Sequence, residues 1–356
     1  MDYFIDMHKV IHFVSSLKQG GAERQVATII NYSKGINNYL CTIYDLESNY
    51  LIGTSNKVIK LKSKYNLVRI IELYKIIKSV KPNFIYAWGV LPYIISSFSI
   101  FGTSTKVING TIRHGIFKKT FSGYLRMSLL HISKYIIANS YAGLKANRLH
   151  RGYVLYNGID PKFDRSRWKN MNQASNFTAE IILISIANLV PYKDYLTVFK
   201  VLKLLKEEGY KFKYQIIGDG PLRSEFDLAV NNMGLKDNIE FLGKVDDPEK
   251  YLSQADIFIH SSKGEGCSNA ILEAMYMGLP IIASNTGGTS EIVKNNAMLF
   301  EYQDIIALYC GLKKLIQNPE LRSLMGDQSY HIIQRRFTTE IMVANYENII
   351  SNIINN

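Results

Sequence analysis

ADIFIHSSKGEGCSNAILEAMYMGLPIIASNTGGTSEIV, residues 255–293, is the stretch whose pattern decides the fold. An apolar run, Ile257-Phe258-Ile259, ends in a polar loop that contains glycine. A helix follows, and Gly278-Leu279-Pro280 turns the chain into a second apolar strand at 281–283. A helix start gathers unpaired N–H groups and partial positive charge, so the loop–helix junction suits a phosphate. Glu265 lies in the loop and Glu273 about two turns into the helix, with seven residues between them. Glu273 is placed to hold a ribose diol and Glu265 to reach a sugar. In outline this is a nucleotide-sugar site.

Outward from this unit the alternation continues. Strands are expected at 181–186, 213–217 and 239–242, and helices at 194–208, 221–233 and 247–254. The segment 165–179 (RSRWKNMNQASNFTA) is polar and aperiodic and reads as a linker. Before it, strands are expected at 9–15, 39–44, 84–88, 106–111, 135–139 and 153–156, with helices at 22–33, 67–79 and 123–133. The tail, 321–352, reads as helix with a break near Arg336-Phe337-Thr338. Strands alternating with helices imply parallel sheets, here two doubly wound domains in tandem. Such sheets bind ligands at the carboxyl ends of their strands, so a cleft between two facing domains is the expected site.

Composition fits this scheme. At 356 residues, 47% hydrophobic and 20% charged, the chain is long enough for two ordinary cores. Cys41, Cys267 and Cys310 lie too far apart for a metal-like or pairable spacing, which suits free structural thiols in a reducing compartment. The start, MDYFIDMHKV, carries acids early and does not resemble a secretory leader. No charge falls between Lys81 and Lys106, but Gly89 and Pro92 interrupt the run FIYAWGVLPYIISSFSIF. A buried strand, a turn and a packed helix explain it better than a membrane span. Charge is uneven: residues 1–170 carry 25 − 8 = +17, and residues 171–356 carry 17 − 22 = −5. A basic half facing nucleic acid, an anionic membrane surface, or simply solvent all satisfy that asymmetry. D-x-D, H-x-x-H, C-x-x-C and G-x-S-x-G patterns do not occur, so metal-dependent and serine-nucleophile chemistries lack support.

Smaller signals fall at strand ends. Gly20-Gly21-Ala22-Glu23-Arg24 opens the first helix, where glycines allow close backbone approach. Gly218-Asp219-Gly220 precedes Pro221, expected at the first position of a helix. Lys193 can neutralise a diphosphate, although taken alone it reads first as a solvated surface lysine, and His114 beside Gly115 fits either a substrate contact or a structural histidine. Asp246-Asp247 before Pro248 reads as a helix N-cap.

Taken in order, these pieces resemble glycosyltransferase family 4, of the GT-B architecture. GGAER at 20–24 resembles the amino-terminal glycine loop of that family. Asn157-Gly158-Ile159-Asp160 with Phe163 resembles the segment ending its first domain, and Ile217-Gly218-Asp219-Gly220-Pro221-Leu222 its central G-x-G-P segment. Glu265 through Glu273 matches the E-x7-E element, and Thr286-Gly287-Gly288 with Glu291 the element after it.

The resemblance implies a first domain over 1–165, a nucleotide-sugar domain over 175–337, and a terminal helix near 338–356 that packs back on the first domain. Glu265 and His114 become the catalytic pair: Glu265 contacts the donor sugar or assists the leaving group, and His114 lies over the transferred sugar. Glu273 takes the ribose hydroxyls. Gly20, Gly21, Gly266, Cys267, Ser268 and Asn269 surround the diphosphate and sugar, and Lys193 binds phosphate. Asn188 stands where many members carry arginine, so half of the usual positive clamp is missing; Arg24 or Arg113 are candidate replacements.

The implied reaction is a retaining, metal-independent transfer without a cofactor, from a nucleoside diphosphate sugar, uridine by family frequency, to a saccharide acceptor. Members that build bacterial surface glycans use lipid-linked acceptors and dock through the basic first domain. That implies a cytoplasmic enzyme, peripheral on the inner face of the membrane, with no nucleic acid partner. The stretch 118–137, with Lys118, Lys119, Arg126 and Lys134 among aromatic and leucine residues, fits such docking. A sugar-nucleotide epimerase and a non-catalytic partner subunit are the alternatives.

Overall fold

The computed structural model describes residues 8–17, 20–44, 58–113, 120–159, 163 and 180–355. The chain divides into two compact units, Met1–Asp160 with Thr339–Asn356, and Pro161–Thr338.

The first unit runs β1 (Lys9–Val14), α1 (Gly21–Tyr32), β2 (Asn37–Thr42), β3 (Val58–Lys60), α2 (Asn66–Val80), β4 (Phe84–Ala87), α3 (Val90–Ser99), β5 (Lys106–Asn109), α4 (Phe121–Ile132), β6 (Tyr135–Ala138), α5 (Tyr141–Ala146) and β7 (Tyr153–Val154). Its strands pair in parallel in the order β3-β2-β1-β4-β5-β6-β7. Val10, Ile11 and Phe13 of β1 are fully buried, as a central strand covered on both faces requires. The uncharged stretch after Lys81 forms buried β4 and the ten-residue α3. No helix among the described residues is long and apolar enough to cross a membrane.

The second unit runs β8 (Ile181–Ile186), α6 (Tyr195–Glu207), β9 (Phe212–Ile217), α7 (Arg223–Asn232), β10 (Ile239–Gly243), α8 (Pro248–Leu252), β11 (Ile257–His260), α9 (Asn269–Tyr276), β12 (Ile281–Ser284), α10 (Thr289–Ile292), β13 (Ala297–Phe300), α11 (Ile305–Gln317) and α12 (Pro319–Arg336). Its parallel order is β10-β9-β8-β11-β12-β13. Successive strands step outward from β8 to β10, then restart at β11 on the other side. The switch point of this sheet therefore lies between β8 and β11, where doubly wound sheets open a crevice for ligands.

The final helix, α13 (Thr339–Asn355), belongs to the first unit. Its Met342, Val343, Tyr346, Ile350 and Ile353 join the core formed by Val10, Val26, Ile29 and Leu40. Thr339 anchors it by donating to the Ile159 carbonyl at 2.6 Å.

Several details depart from the sequence-based expectations, and β3, α5 and α10 were not anticipated. Pro221 is not the first residue of a helix: it lies in a turn closed by Arg223 N–H donating to Gly220 O at 3.1 Å, and α7 starts at Arg223. Asp247 occupies the N-cap of α8 but makes no side-chain cap bond. The pair β13 and α11 extends the second sheet beyond the strands anticipated. Gly311 sits inside α11, where a Cβ would come within 2.8 Å of the terminal methyl of Ile282 on β12. The glycine thus lets α11 lie close to β12 at some cost in helix propensity.

Candidate functional site

The loops following β8 and β11 are tied together at the switch point. Lys193 and Ser262 form an isolated antiparallel bridge. Lys263 N–H donates to Tyr192 O at 2.8 Å and Asp194 N–H to Ser261 O at 3.1 Å. This backbone clamp carries Lys193 directly over the loop that holds Glu265.

One carboxylate oxygen, Glu265 Oε1, is the centre of the site. It pairs with Lys193 Nζ and accepts from Ser262 Oγ at 3.2 Å, and His260 Nε2 stands 3.6 Å away. The Lys193 and Glu265 side chains are only 10% and 16% exposed. Burial alone would raise the Glu265 carboxyl, but the Lys193 charge and then His260 hold it well below the usual carboxylate range. His260 is pushed down, first by its own burial and then by Lys193, with Glu265 opposing. The site therefore holds an internal ion pair beside a neutral imidazole.

The loop is buttressed from the end of β12. Ser284 Oγ accepts from Ser262 N–H at 2.9 Å and donates to Ser262 O at 2.8 Å, while Thr286 Oγ1 donates to the same carbonyl at 2.7 Å. Gly288 N–H donates to Glu265 O at 2.9 Å. Gly287 has φ +56, and a Cβ on it would lie 2.0 Å from Glu265 O. The Thr286-Gly287-Gly288 signal is thereby explained: glycine permits the backbone contact that fixes Glu265.

Glu273 is the fifth residue of α9, closer to the helix start than the two turns expected from sequence, because α9 begins only at Asn269. It is buried, as are Gly266, Cys267 and Ser268; Asn269 is half-buried. Ser268 is the N-cap but its side chain makes no cap bond, so the first N–H groups of α9 receive nothing from it. Asn188 is exposed at the end of β8. Behind it, Gly218 (φ +137) and Gly220 lie where a Cβ would approach Ala187 O at 2.1 Å and Leu189 O at 2.4 Å. Close backbone packing thus accounts for that glycine pair.

In the first unit, Gly20 caps α1, with Gly21 and Arg24 in the first turn. Arg113 follows β5, its guanidinium stacked 3.9 Å over the Trp88 ring. His114, Lys118, Lys119, Asp160 and the 165–179 linker lie outside the described residues. Among the expected site residues, the structure brings together Lys193 and Glu265 in one constellation, with Glu273 on the helix that the same loop opens. The sequence reading missed His260. A polar residue closing an apolar strand marks a strand end, but its partner Lys193 is 67 positions away and only the sheet order joins them.

Residues 166–332 match the family described as glycosyl transferases group 1. This segment, just under half of the chain, is similar to a group 1 glycosyl transferase domain. It contains Lys193, His260, Glu265 and Glu273. Among curated relatives, the O-antigen biosynthesis glycosyltransferase WclY of Escherichia coli is 29% identical over 204 residues, 56% of this chain and 55% of that protein. The N-acetyl-alpha-D-glucosaminyl L-malate synthase of Bacillus anthracis is 27% identical over 205 residues, 56% of this chain and 54% of that protein. The chain thus spans about half the length of these relatives. Among solved structures, Anabaena HepE with UDP and glucose has a TM-score of 0.79 at 18% identity, covering 97% of this chain and 99% of that one. The sucrose-phosphate synthase of Thermosynechococcus elongatus has a TM-score of 0.78 at 16% identity, covering 98% and 99%. The fold is accordingly that of the GT-B glycosyltransferases, two parallel-sheet α/β domains.

Proposed function

We propose that this protein is a retaining hexosyltransferase that moves a hexose or N-acetylhexosamine from a UDP-sugar to a lipid-linked saccharide acceptor in bacterial surface polysaccharide synthesis. The observation that carries the reading is the Lys193–Glu265 pair held at the switch point, beside the start of α9 and its buried Glu273. HepE, bound to UDP and glucose, and WclY, an O-antigen glycosyltransferase, support the donor and the pathway respectively.

In this mechanism Lys193 and the first N–H groups of α9 offset the diphosphate charge, Glu273 holds the ribose hydroxyls, and Glu265 contacts the sugar. The bond from the anomeric carbon to phosphate oxygen breaks on the face where the acceptor oxygen bonds. The departing phosphate takes the acceptor proton, so neither metal nor cofactor is required. With Asn188 in the place of an arginine, Lys193 bears most of the clamp.

The first unit is assigned the acceptor and, through its excess positive charge, an anionic membrane on the cytoplasmic side. Phe121 and Ile132 of α4, 85% and 75% exposed, and the nearby Lys134 favour such a surface. Binding to anionic vesicles should weaken as salt rises, and no binding at low salt would contradict docking. The activity is tested with a panel of nucleotide sugars and a synthetic lipid-linked saccharide, with the product anomer read by NMR. A product of inverted configuration, or sugar isomerised without any acceptor, would overturn the reading.

A further inference from the structure

We infer that His260 is a positioning residue that takes up a proton when a nucleoside diphosphate engages Lys193, and that the resulting imidazolium keeps Glu265 ionised and in place. The inference rests on the donor-site reading above and concerns how that site keeps its charge balance.

The geometry is a three-body contact. His260 Nε2 lies 3.5 Å from Lys193 Nζ and 3.6 Å from Glu265 Oε1. The ring is buried at the end of β11 and lies nearly parallel to Phe258, at 13° and 6.3 Å between centroids, so it is not free to swing away. Without ligand, one ammonium satisfies one carboxylate, and a second cation at this distance from Lys193 is disfavoured. The imidazole is then neutral, in line with the depression that burial and Lys193 impose on it.

A diphosphate changes this balance. It brings more than one negative charge and competes for the ammonium that Glu265 had held. The carboxylate is left in a poorly solvated site beside an anion, an arrangement strongly disfavoured without a compensating charge. Two responses restore balance: Glu265 takes a proton, or His260 does. A protonated Glu265 would lose the charge with which it acts on the sugar. Protonated His260 restores a cation 3.6 Å from Oε1 without moving the loop.

The remaining surroundings permit a charged ring. Behind it lies a cavity of about 10 Å³ whose lining includes Ser185, Tyr195, Tyr214 and Ser261. That is roughly room for one water, and its hydroxyl groups can accept from an imidazolium N–H. Tyr195 of α6 and Tyr214 of β9 are both raised, chiefly by burial, and remain neutral. From β12, the Ser284 hydroxyl meets the His260 backbone carbonyl at 3.5 Å and carries no charge. Asp194 is next to Lys193, but its Oδ1 caps α6 by accepting from Thr197 N–H at 3.3 Å. Lys193 and Glu265 are therefore the charges that set the state of the ring.

The test is calorimetric titration of the full chain with UDP near pH 7, in buffers of different ionisation enthalpy, for wild type and His260→Gln. Wild type should take up at least ~0.3 proton more per UDP bound than the variant, the nucleotide's own protonation being common to both. Equal proton linkage in the two proteins would overturn the inference while leaving the donor site intact. Absence of any UDP binding to wild type would instead overturn the donor-site reading, and the inference with it. Should His260→Gln fold poorly, imidazole NMR of wild type gives the same answer. The buried His260 signal should move from neutral to imidazolium when UDP is added, and an unchanged signal would contradict the proposal.

Discussion

Lys193 and Glu265 neutralise each other in a place where neither is well solvated, so each depends on the other. Lys193→Met should destabilise the second unit by about 3 kcal/mol, because it leaves a buried carboxylate without its cation. The double variant Lys193→Met with Glu265→Gln should recover most of that loss in urea unfolding; additive losses would show that the pair is not coupled. Glu265→Gln alone should also destabilise the second unit, because it leaves the buried Lys193 without its anion, and should lower turnover by about 10²-fold. Glu265 and Glu273 stood out as candidates because of their spacing about a glycine loop and a helix start, whereas Lys193 was singled out only through the family resemblance. His260 was not, since its meaning depends on β8 and β11 becoming neighbours across intervening elements.

At the scale of elements, the support of the site lies in the turn between β12 and α10. Gly287 combines a left-handed backbone with contact to the Glu265 carbonyl, so Gly287→Ala forces the turn away from the Glu265 loop. Activity should fall by ~10-fold or more, and the thermal unfolding midpoint should fall too, because the left-handed backbone alone costs roughly 1–2 kcal/mol and the clash with the Glu265 backbone adds to it. An unaffected kcat would show that this contact does not set the position of Glu265. Most strands and helices were readable because buried parallel strands are short apolar runs punctuated by glycine and charge. The pair β13 and α11 escaped that reading for physical reasons. Strand β13 is only four residues long, with a single buried residue at its end, and α11 carries Gly311 in its middle. The Asp304 cap, whose side chain accepts from Ala307 N–H at 2.9 Å, was the signal that could have announced α11.

The whole chain is closed by α13, which leaves the second unit and completes the core of the first. A buried polar network fastens it. Trp88 Nε1–H donates to His12 Nδ1 at 3.1 Å, so the imidazole proton sits on Nε2, 3.0 Å from both Asn38 Oδ1 and Tyr346 Oη. Tyr346 also donates to Asn38 Oδ1 at 2.8 Å. Tyr346→Phe should therefore destabilise the first unit by about 1–3 kcal/mol. Burial pushes His12 down to about 4, against the Asn38 hydrogen bond that raises it. The unfolded chain then binds the proton first. Stability from this histidine is complete above about pH 6.5 and is lost as pH falls toward 4, by up to about 3 kcal/mol. Urea unfolding of the first unit across that range should show the loss, and a flat profile would contradict a neutral His12.

The central claim is that the constellation of Lys193, Glu265 and Glu273 is the donor site. Thermal unfolding with and without excess UDP tests it most directly, comparing wild type, Lys193→Met, and Lys313→Met, whose ion pair with Glu208 is half-exposed on the surface. A ligand at 100 times its dissociation constant stabilises by about 2.7 kcal/mol. Wild type and Lys313→Met should both gain several degrees with UDP, and Lys193→Met should gain little or nothing. An equal gain in Lys193→Met would contradict the account.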